Sequence, residues 1–401
     1  MNVHGYVAHP YDVLFFRGNK SFTFGEWYTE GRFPPAPSTF QGFVRSKILH
    51  DNGALDERGK INDGCKIREL VGDDDNLPME IVGPYLIKEE SNELYLPTPT
   101  DIVKQKDACR SLFNKLREGS VESDLDFLFY MPAAMPEEKL ESLKPADFVS
   151  DSEMDAYRLS LDGLNIEDHH LFFSEDRVGI GLDYERLSKS GDRKAKESRF
   201  YVTPYSRLLD GIGFYFSVAG KRLKDGSQRL GGETHLVDIV SHNDGTLLEN
   251  KFSPSREKLI KSIAKNHTFR LVLLQPGIFE HGWIPFPFNI KEGKLFASAA
   301  FGRMDLHLEL LAAHLGSPQR IGGYSYIKNT GTANQSGVML KPMMLAVPAG
   351  SVYLFRIQKN VGEKEITNFV QGIDNKKIEY LPYSSMGFNH VLLACGPEFK
   401  S

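Results

Sequence analysis

Residues 341–355 read KPMMLAVPAGSVYLF. An apolar run enters the turn Pro348-Ala349-Gly350-Ser351 and leaves through the β-rich Val352-Tyr353-Leu354-Phe355. Proline and glycine set the turn, and the branched and aromatic residues beside it favour extended backbone. The expectation is strand, tight turn, strand. Outward from this point, FRLVLLQPGIF (269–279) reads as an apolar strand of the parallel or central kind, and LLACG (392–396) as a closing strand. DLHLELLAAHL (305–315) reads as a helix ended by Gly316 and Pro318. KNTGTANQSG (328–337) has no core-forming residue and reads as an exposed finger.

The first half repeats the scheme. NVHGYVA (2–8) and YDVLFFR (11–17) are short β segments around Pro10. A helix opens at Ser38-Thr39, carries Phe40, Phe43, Val44 and Ile48 at helical spacing, and stops before Gly53. Gly42 lies inside it at a cost of about 1 kcal/mol against alanine, so close approach of another backbone is expected there. Residues 81–99 read as a hairpin turning near Ser91-Asn92, and 199–205, 212–218 and 231–241 as strands. SPSREKLIKSIAKN (253–266) is a helix linking the halves. Residues 104–170 are acidic and read as a largely helical insertion. The pattern strand, helix, strands, strand occurs twice. It predicts an α+β chain of two ferredoxin-like (RRM-like) domains, 1–245 with the insertion at about 104–170, and 246–401 with a glycine-rich loop.

The chain has 401 residues, 41% hydrophobic and 25% charged. That is long enough for two cored domains. No apolar run approaches the roughly 18–20 residues that cross a bilayer. The first residues lack a basic start and a small-residue cleavage site, so no secretory signal is expected. Cys65, Cys109 and Cys395 lie far apart without a CxxC pair, which argues against a disulfide framework or cysteine zinc site and fits a reducing cytoplasm. The net charge of −5 argues against a protein coated all over with nucleic acid, not against a local basic groove. Positive charge gathers at 188–199 and 221–229. Negative charge gathers at Asp73-Asp74-Asp75, Glu122 to Asp126 and Asp151 to Asp168. Such segregation suits one RNA face and other faces for protein partners.

Enzyme signatures are missing. There is no GxxxxGK[ST] phosphate loop and no GxGxxG after a strand. Val71-Gly72-Asp73-Asp74-Asp75 lacks the second glycine of a cyclase turn and reads as a polyacidic loop. The His50-Asp51 dipeptide has no companion histidines at helical spacing, and His169 and His170 point apart. Ser351 is not in a GxSxG elbow. No catalytic group, metal or cofactor is expected.

RNA-binding chemistry has more support. Arg17 ends an apolar strand beside Gly18-Asn19-Lys20, where a guanidinium grips phosphate and glycine admits backbone amides; a strand-edge ion pair is the alternative. Ser38-Thr39 opens a helix, a ready anion site if not simply a cap, and Arg45 stands a turn further in. Arg229 precedes Gly231-Gly232-Glu233, which permits close backbone approach. Arg320, Gly322, Gly323, Tyr324 and Lys328 combine a flexible glycine pair, a stacking aromatic and two cations, with Lys341 completing the set.

Five ordered blocks, DVLFFRGNKSF (12–22), PAPSTFQGFVRSKIL (36–49), RLGGETHLVDI (229–239), GSPQRIGGYSYIK (316–328) and KPMMLAVPAGSVYLF (341–355), resemble the RAMP superfamily of CRISPR proteins. The likeness is greatest to the third-subunit family of type III-B (Cmr) effector complexes. The resemblance implies two ferredoxin-like domains and binding of the 5′ tag of the CRISPR RNA. It implies docking against the large polymerase-like subunit and the first backbone subunit, with target RNA met only indirectly. It implies a non-catalytic role in antiviral defence, in the cytoplasm and without a membrane. Two alternatives stay open: a metal-independent RAMP endoribonuclease using His4, His9, His50 or Tyr324, and the equivalent subunit of a type III-A complex.

Overall fold

A computed structural model describes residues 2–18, 31–55, 67–72, 77–105, 108–114, 116–118, 130–132, 141–142, 148–182, 195–301, 304–327, 337–358 and 361–398. Two seven-stranded antiparallel sheets dominate it. The first contains β1 (Val3–Pro10), β2 (Glu80–Lys88), β3 (Glu93–Pro97) and β4 (Phe148–Ser150). A long ribbon follows, β5 (Phe172–Leu182) and β6 (Ala195–Leu208). The first sheet is then completed by β7 (Ile212–Ala219), β8 (Gly226–Arg229) and β9 (Leu236–His242), in the order β8-β9-β1-β7-β2-β3-β4.

The second sheet is made of β10 (Thr268–Leu273), β11 (Phe288–Lys291), β12 (Lys294–Phe301) and β13 (Met304–His314). A small separate ribbon, β14 (Gln319–Ile321) with β15 (Met344–Ala346), precedes the remaining strands β16 (Val352–Ile357), β17 (Lys376–Lys377) and β18 (His390–Cys395). Its order is β11-β12-β13-β16-β10-β18-β17. Four central strands of each sheet, taken in chain order, lie as fourth, first, third, second. These are β9-β1-β7-β2 and, read from the other side, β18-β10-β16-β13. Helix α1 (Pro37–Asp51) follows the first of these strands in sheet one. Helix α4 (Glu363–Ile373) follows the third in sheet two.

Alternation along the strands explains how the sheets stack. Tyr6, Ala8, Phe214 and Phe216 face Phe40, Phe43, Val44 and Ile48 of α1. The intervening Val7, Tyr85, Ile87 and Tyr215 face Val272, Val352, Leu354, Leu392 and Ala394 of the second sheet. The other side of that sheet, with Phe269, Leu271, Phe355 and Leu393, is covered by α4 and by α3 (Arg256–Asn266). The layers are therefore helix, sheet, sheet, helices, with one shared core between the sheets. Each such side chain taken fully out of water stabilises by roughly 1.5–3 kcal/mol.

The 341–355 stretch behaves as its sequence demands: β15, a tight turn, β16. Gly350 has φ +84°, and a Cβ there would lie 2.5 Å from the Thr98 carbonyl oxygen. Its N–H donates to Leu273 and its carbonyl accepts from Thr100, so the turn ties the first half to the second. Polar groups reinforce this joint. Helix α2 (Asp151–Leu159), with a full Ser150/Glu153 capping box, sends the buried Arg158 to Asp374 at 2.8 Å and to the Leu393 carbonyl at 2.9 Å. Buried Arg270 reaches Asp101 at 3.3 Å and stacks on Tyr157 at 4.0 Å. The Tyr85 hydroxyl donates to His390 Nδ1 at 2.6 Å.

Several expectations are corrected. Residues 305–314 lie in strand β13, not in a helix. Leu306, Leu308 and Leu310 alternate with Asp305, His307 and Glu309, a period of two that outweighs the helix-ending Gly316 and Pro318. The described part of 104–170 holds one α-helix, α2, among short strands such as Ala108–Ser111, Leu116–Glu118 and Tyr130–Pro132, so it is not largely helical there. Residues 11–17 are not a strand but a segment fixed by bridges at Leu14 and Arg17. Strand β10 is central, and antiparallel on both sides. Asp73 to Asp75 and the finger at 328–336 lie outside the described residues.

Candidate nucleic-acid interface

An open groove of about 820 Å³ runs where the two halves meet on one flank. Its first wall is the segment after β1. Phe15 and Phe16 are buried at 6% exposure, which fixes the backbone and leaves Arg17 exposed, bridged to Gly31. The loop after β8 closes on this segment, with the Gly232 N–H donating to the Phe15 carbonyl at 2.8 Å. Gly231, at φ +80°, permits that approach, because a Cβ would sit 2.6 Å from the same carbonyl oxygen. Arg229, at the end of β8, lines the groove together with Arg17.

The floor is α1. Its N-cap is Ala36 with Pro37 in the first turn, and no side chain caps it, so Ser38 and Thr39 are not the caps the sequence suggested. Their residues face the groove instead, with Gly42 and Ser46. The positive end of the helix dipole therefore adds to the local potential. The opposite wall comes from the second half: Arg320, Ile321, Gly322, Gly323 and Met343. The Arg32 guanidinium donates to Gln319 Oε1 and joins the walls across the two halves.

Four arginines line the groove, Arg17, Arg32, Arg229 and Arg320, and no carboxylate does among the described residues. The nearby β5–β6 ribbon carries arginines too. There Arg207 lies 2.8 Å from Asp12 and 2.7 Å from Glu175, and Arg177 lies 2.7 Å from Glu175. Those arginines pair with described carboxylates, and the groove's described lining brings four further guanidinium groups together. Glu233, next to the glycine pair, accepts the hydroxyl proton bond of Tyr205. Burial together with that carboxylate pushes Tyr205 up to about 12.

The groove brings together Arg17, Ser38, Thr39, Arg229, Gly231, Gly232, Arg320, Gly322 and Gly323 from the sequence-derived set. Lys341 borders it, donating its backbone N–H to Gly323 at 2.9 Å. Tyr324 opens the strand Tyr324–Ile327 next door. Arg45 is not brought in; its guanidinium donates to the Gly72 carbonyl at 3.0 Å. Lys20 and Lys328 lie outside the described residues. Arg32 and Met343 were not foreseen. Arg32 stands just before the proline run that leads into α1, the one signal that marked it.

The glycines divide by cause. Gly231 and Gly232 are shaped by Phe15, a contact within the chain. Gly42 and Gly322 have nothing within 4 Å of where a Cβ would stand. The backbone expected to approach Gly42 is therefore not one of the described segments of this chain.

Other chemistry-bearing residues take structural roles. Asp51 pairs with Lys47 at 2.7 Å and accepts from the Lys224 N–H. His9 meets Glu89, His169 meets Glu153, and Ser351 Oγ accepts from the Gly316 N–H. Among the described residues no group of His, Cys, Asp and Glu could hold a metal, and no helix is long and apolar enough to cross a membrane.

The family model described as CRISPR-associated protein (Cas_Cmr3) matches residues 6–394. No curated protein matches. Among solved structures, a chain of the type III-B Cmr-beta complex bound to cognate target RNA is similar at 11% identity over 96% of both chains, with a TM-score of 0.43. A chain from that complex with target RNA and AMPPnP, state 1, is similar at 11% identity over 87% of this chain and 86% of that one, with a TM-score of 0.36. Overlaps this loose carry no argument about the groove.

Proposed function

The chain belongs to the Cas_Cmr3 family of CRISPR-associated proteins, and from that premise we propose that it is a non-catalytic RNA-binding and assembly subunit of a type III-B CRISPR ribonucleoprotein. The groove holds the 5′ tag of the CRISPR RNA, and other faces dock the large polymerase-like subunit and the first backbone subunit in the cytoplasm. The strand order fourth, first, third, second in both halves supports two ferredoxin-like units of RAMP type, 1–245 and 246–401, each keeping one of the two helices that such a unit carries.

One observation carries the reading. Residues scattered from Arg17 to Gly323, chosen from sequence for phosphate chemistry, line one groove, where Arg32 brings the guanidinium groups to four. Arginine forks suit phosphate oxygens, and glycine floors let a sugar–phosphate backbone settle. Of the acid–base candidates of the endoribonuclease alternative, His4, His9 and His50 are not among the groove residues, and Tyr324 directly follows the groove residue Gly323.

The test is filter binding of tagged RNA by the full chain across a salt series. Each of Arg17→Ala, Arg229→Ala and Arg320→Ala should weaken binding and lower the slope of log K against log salt by about 0.7, the single-strand value per phosphate. Arg45→Ala should leave the slope unchanged. Unaltered slopes in all three groove variants would refute the site.

A further inference from the structure

Ribbon β14–β15 has two unlike faces. Ile321 is paired with Met344, and both pack inward with Ile278 and Phe388. Alternation turns the other side outward, where Arg320 is paired with Leu345, and Met343 lies just before the strand. Leu345 is 64% exposed and Met343 is 66% exposed. Gly322, just past the strand, has no described atom within 4 Å of its Cβ position. The aromatic rings among the described groove residues, Phe15, Phe16 and Phe43, are buried in the body. The apolar surface the groove offers from its described residues is therefore aliphatic.

We infer that Met343 and Leu345 form an aliphatic shelf that receives nucleobases of the single-stranded RNA whose phosphates lie on the groove arginines. The inference rests on the RNA reading of the groove and adds what the bases touch. Met343 itself lines the groove, so shelf and groove are continuous. The arginines select a polyanion. A ribonucleotide presents a charged edge and a flat apolar face within one residue's width, and this ribbon presents a cation and an aliphatic group on one face. Contacts of this kind involve no hydrogen-bond code. The shelf therefore holds any base and adds affinity without releasing counterions.

The experiment uses the full chain, a fluorescently labelled single-stranded RNA decamer, and the same oligomer with its bases replaced by abasic sites. Met343→Ser and Leu345→Ser alter exposed side chains and are checked for unchanged thermal melting. The expected result is a loss of affinity of about threefold to tenfold, an unchanged salt slope, and no difference from wild type on the abasic oligomer. The abasic oligomer also tests the idea without any variant, since it should bind wild type less tightly at the same slope. If the serine variants bind intact RNA like wild type while Arg17→Ala and Arg320→Ala lower affinity and slope, the groove reading stands and the shelf is refuted. If the arginine variants also bind unchanged, both fall. If the serine variants keep RNA affinity but fail to co-assemble with other subunits of the complex, the face is a protein-docking surface and the inference is overturned.

Discussion

Replacing Gly42 with leucine should make the protein more stable and a poorer RNA binder. Gly42 sits inside α1, is exposed, and has nothing within 4 Å of a Cβ. Leucine removes the glycine penalty, roughly 0.8 kcal/mol in a helix interior. In a chain of this size that raises the melting midpoint by on the order of 1–2 °C. The same side chain projects into the groove floor between Thr39 and Ser46. If it keeps one phosphate from a charge-assisted hydrogen bond, the loss is about 1.5–3 kcal/mol, or roughly 10- to 100-fold in affinity. Thermal melting and fluorescence anisotropy with tagged RNA read the two effects separately. Gly42→Ala should show the stability gain with a smaller binding loss. A leucine variant that melts higher and binds RNA as tightly as wild type would show that the strand does not cross this floor. A variant that melts lower would show that the space beside Gly42 is already filled.

Three further outcomes concern the joint. Arg158→Met removes a buried ion pair and leaves Asp374 with Arg256 at 3.0 Å and the Leu393 N–H at 3.1 Å; breaking such pairs costs about 3–5 kcal/mol, and a melting change equivalent to under ~1 kcal/mol would mean the joint is held by apolar packing alone. Gly350→Ala must accept φ +84° and displace the Thr98 carbonyl, a strain of about 1–3 kcal/mol readable by denaturant titration; unchanged stability would contradict the close contact. Burial, with Lys377 nearby, pushes His390 down to about 3, so the folded ring stays neutral while the unfolded one takes up a proton below about 6.5. Stability should therefore be full above that value and fall as pH drops, by roughly 2 kcal/mol at pH 5. His390→Gln should flatten that portion of the profile.

The α+β character and most of the central strands were legible because alternation and turn chemistry are local. The 348–351 turn declares itself through Pro348 and Gly350, and α1 through Phe40, Phe43, Val44 and Ile48. Strand β13 was misread because its leucines and alanines also suit a helix, and only its place between β12 and β16 decides the matter. The groove was half legible. Cations beside glycines marked Arg17, Arg229 and Arg320 one at a time. That they share a site depends on how the two sheets stack, which no local pattern encodes. Arg45 was misplaced because helical position alone does not reveal that Gly72 lies within its reach. Arg32 was missed because it carries no neighbouring glycine pair, and its partner Gln319 is nearly three hundred positions away in the chain.

The shared core between the sheets has a consequence for synthesis. The last strand of the first sheet, β9, ends at His242, and the strand that completes its cover, β18, ends at Cys395. At ribosomal speeds of about 5–20 residues per second, on the order of ten seconds separate the two. For that interval Val7, Tyr85, Ile87 and Tyr215 present a bare greasy plane to the cell. The nascent chain is most open to aggregation, and to rescue by a chaperone, in that window, and a translational pause between the halves would lengthen it.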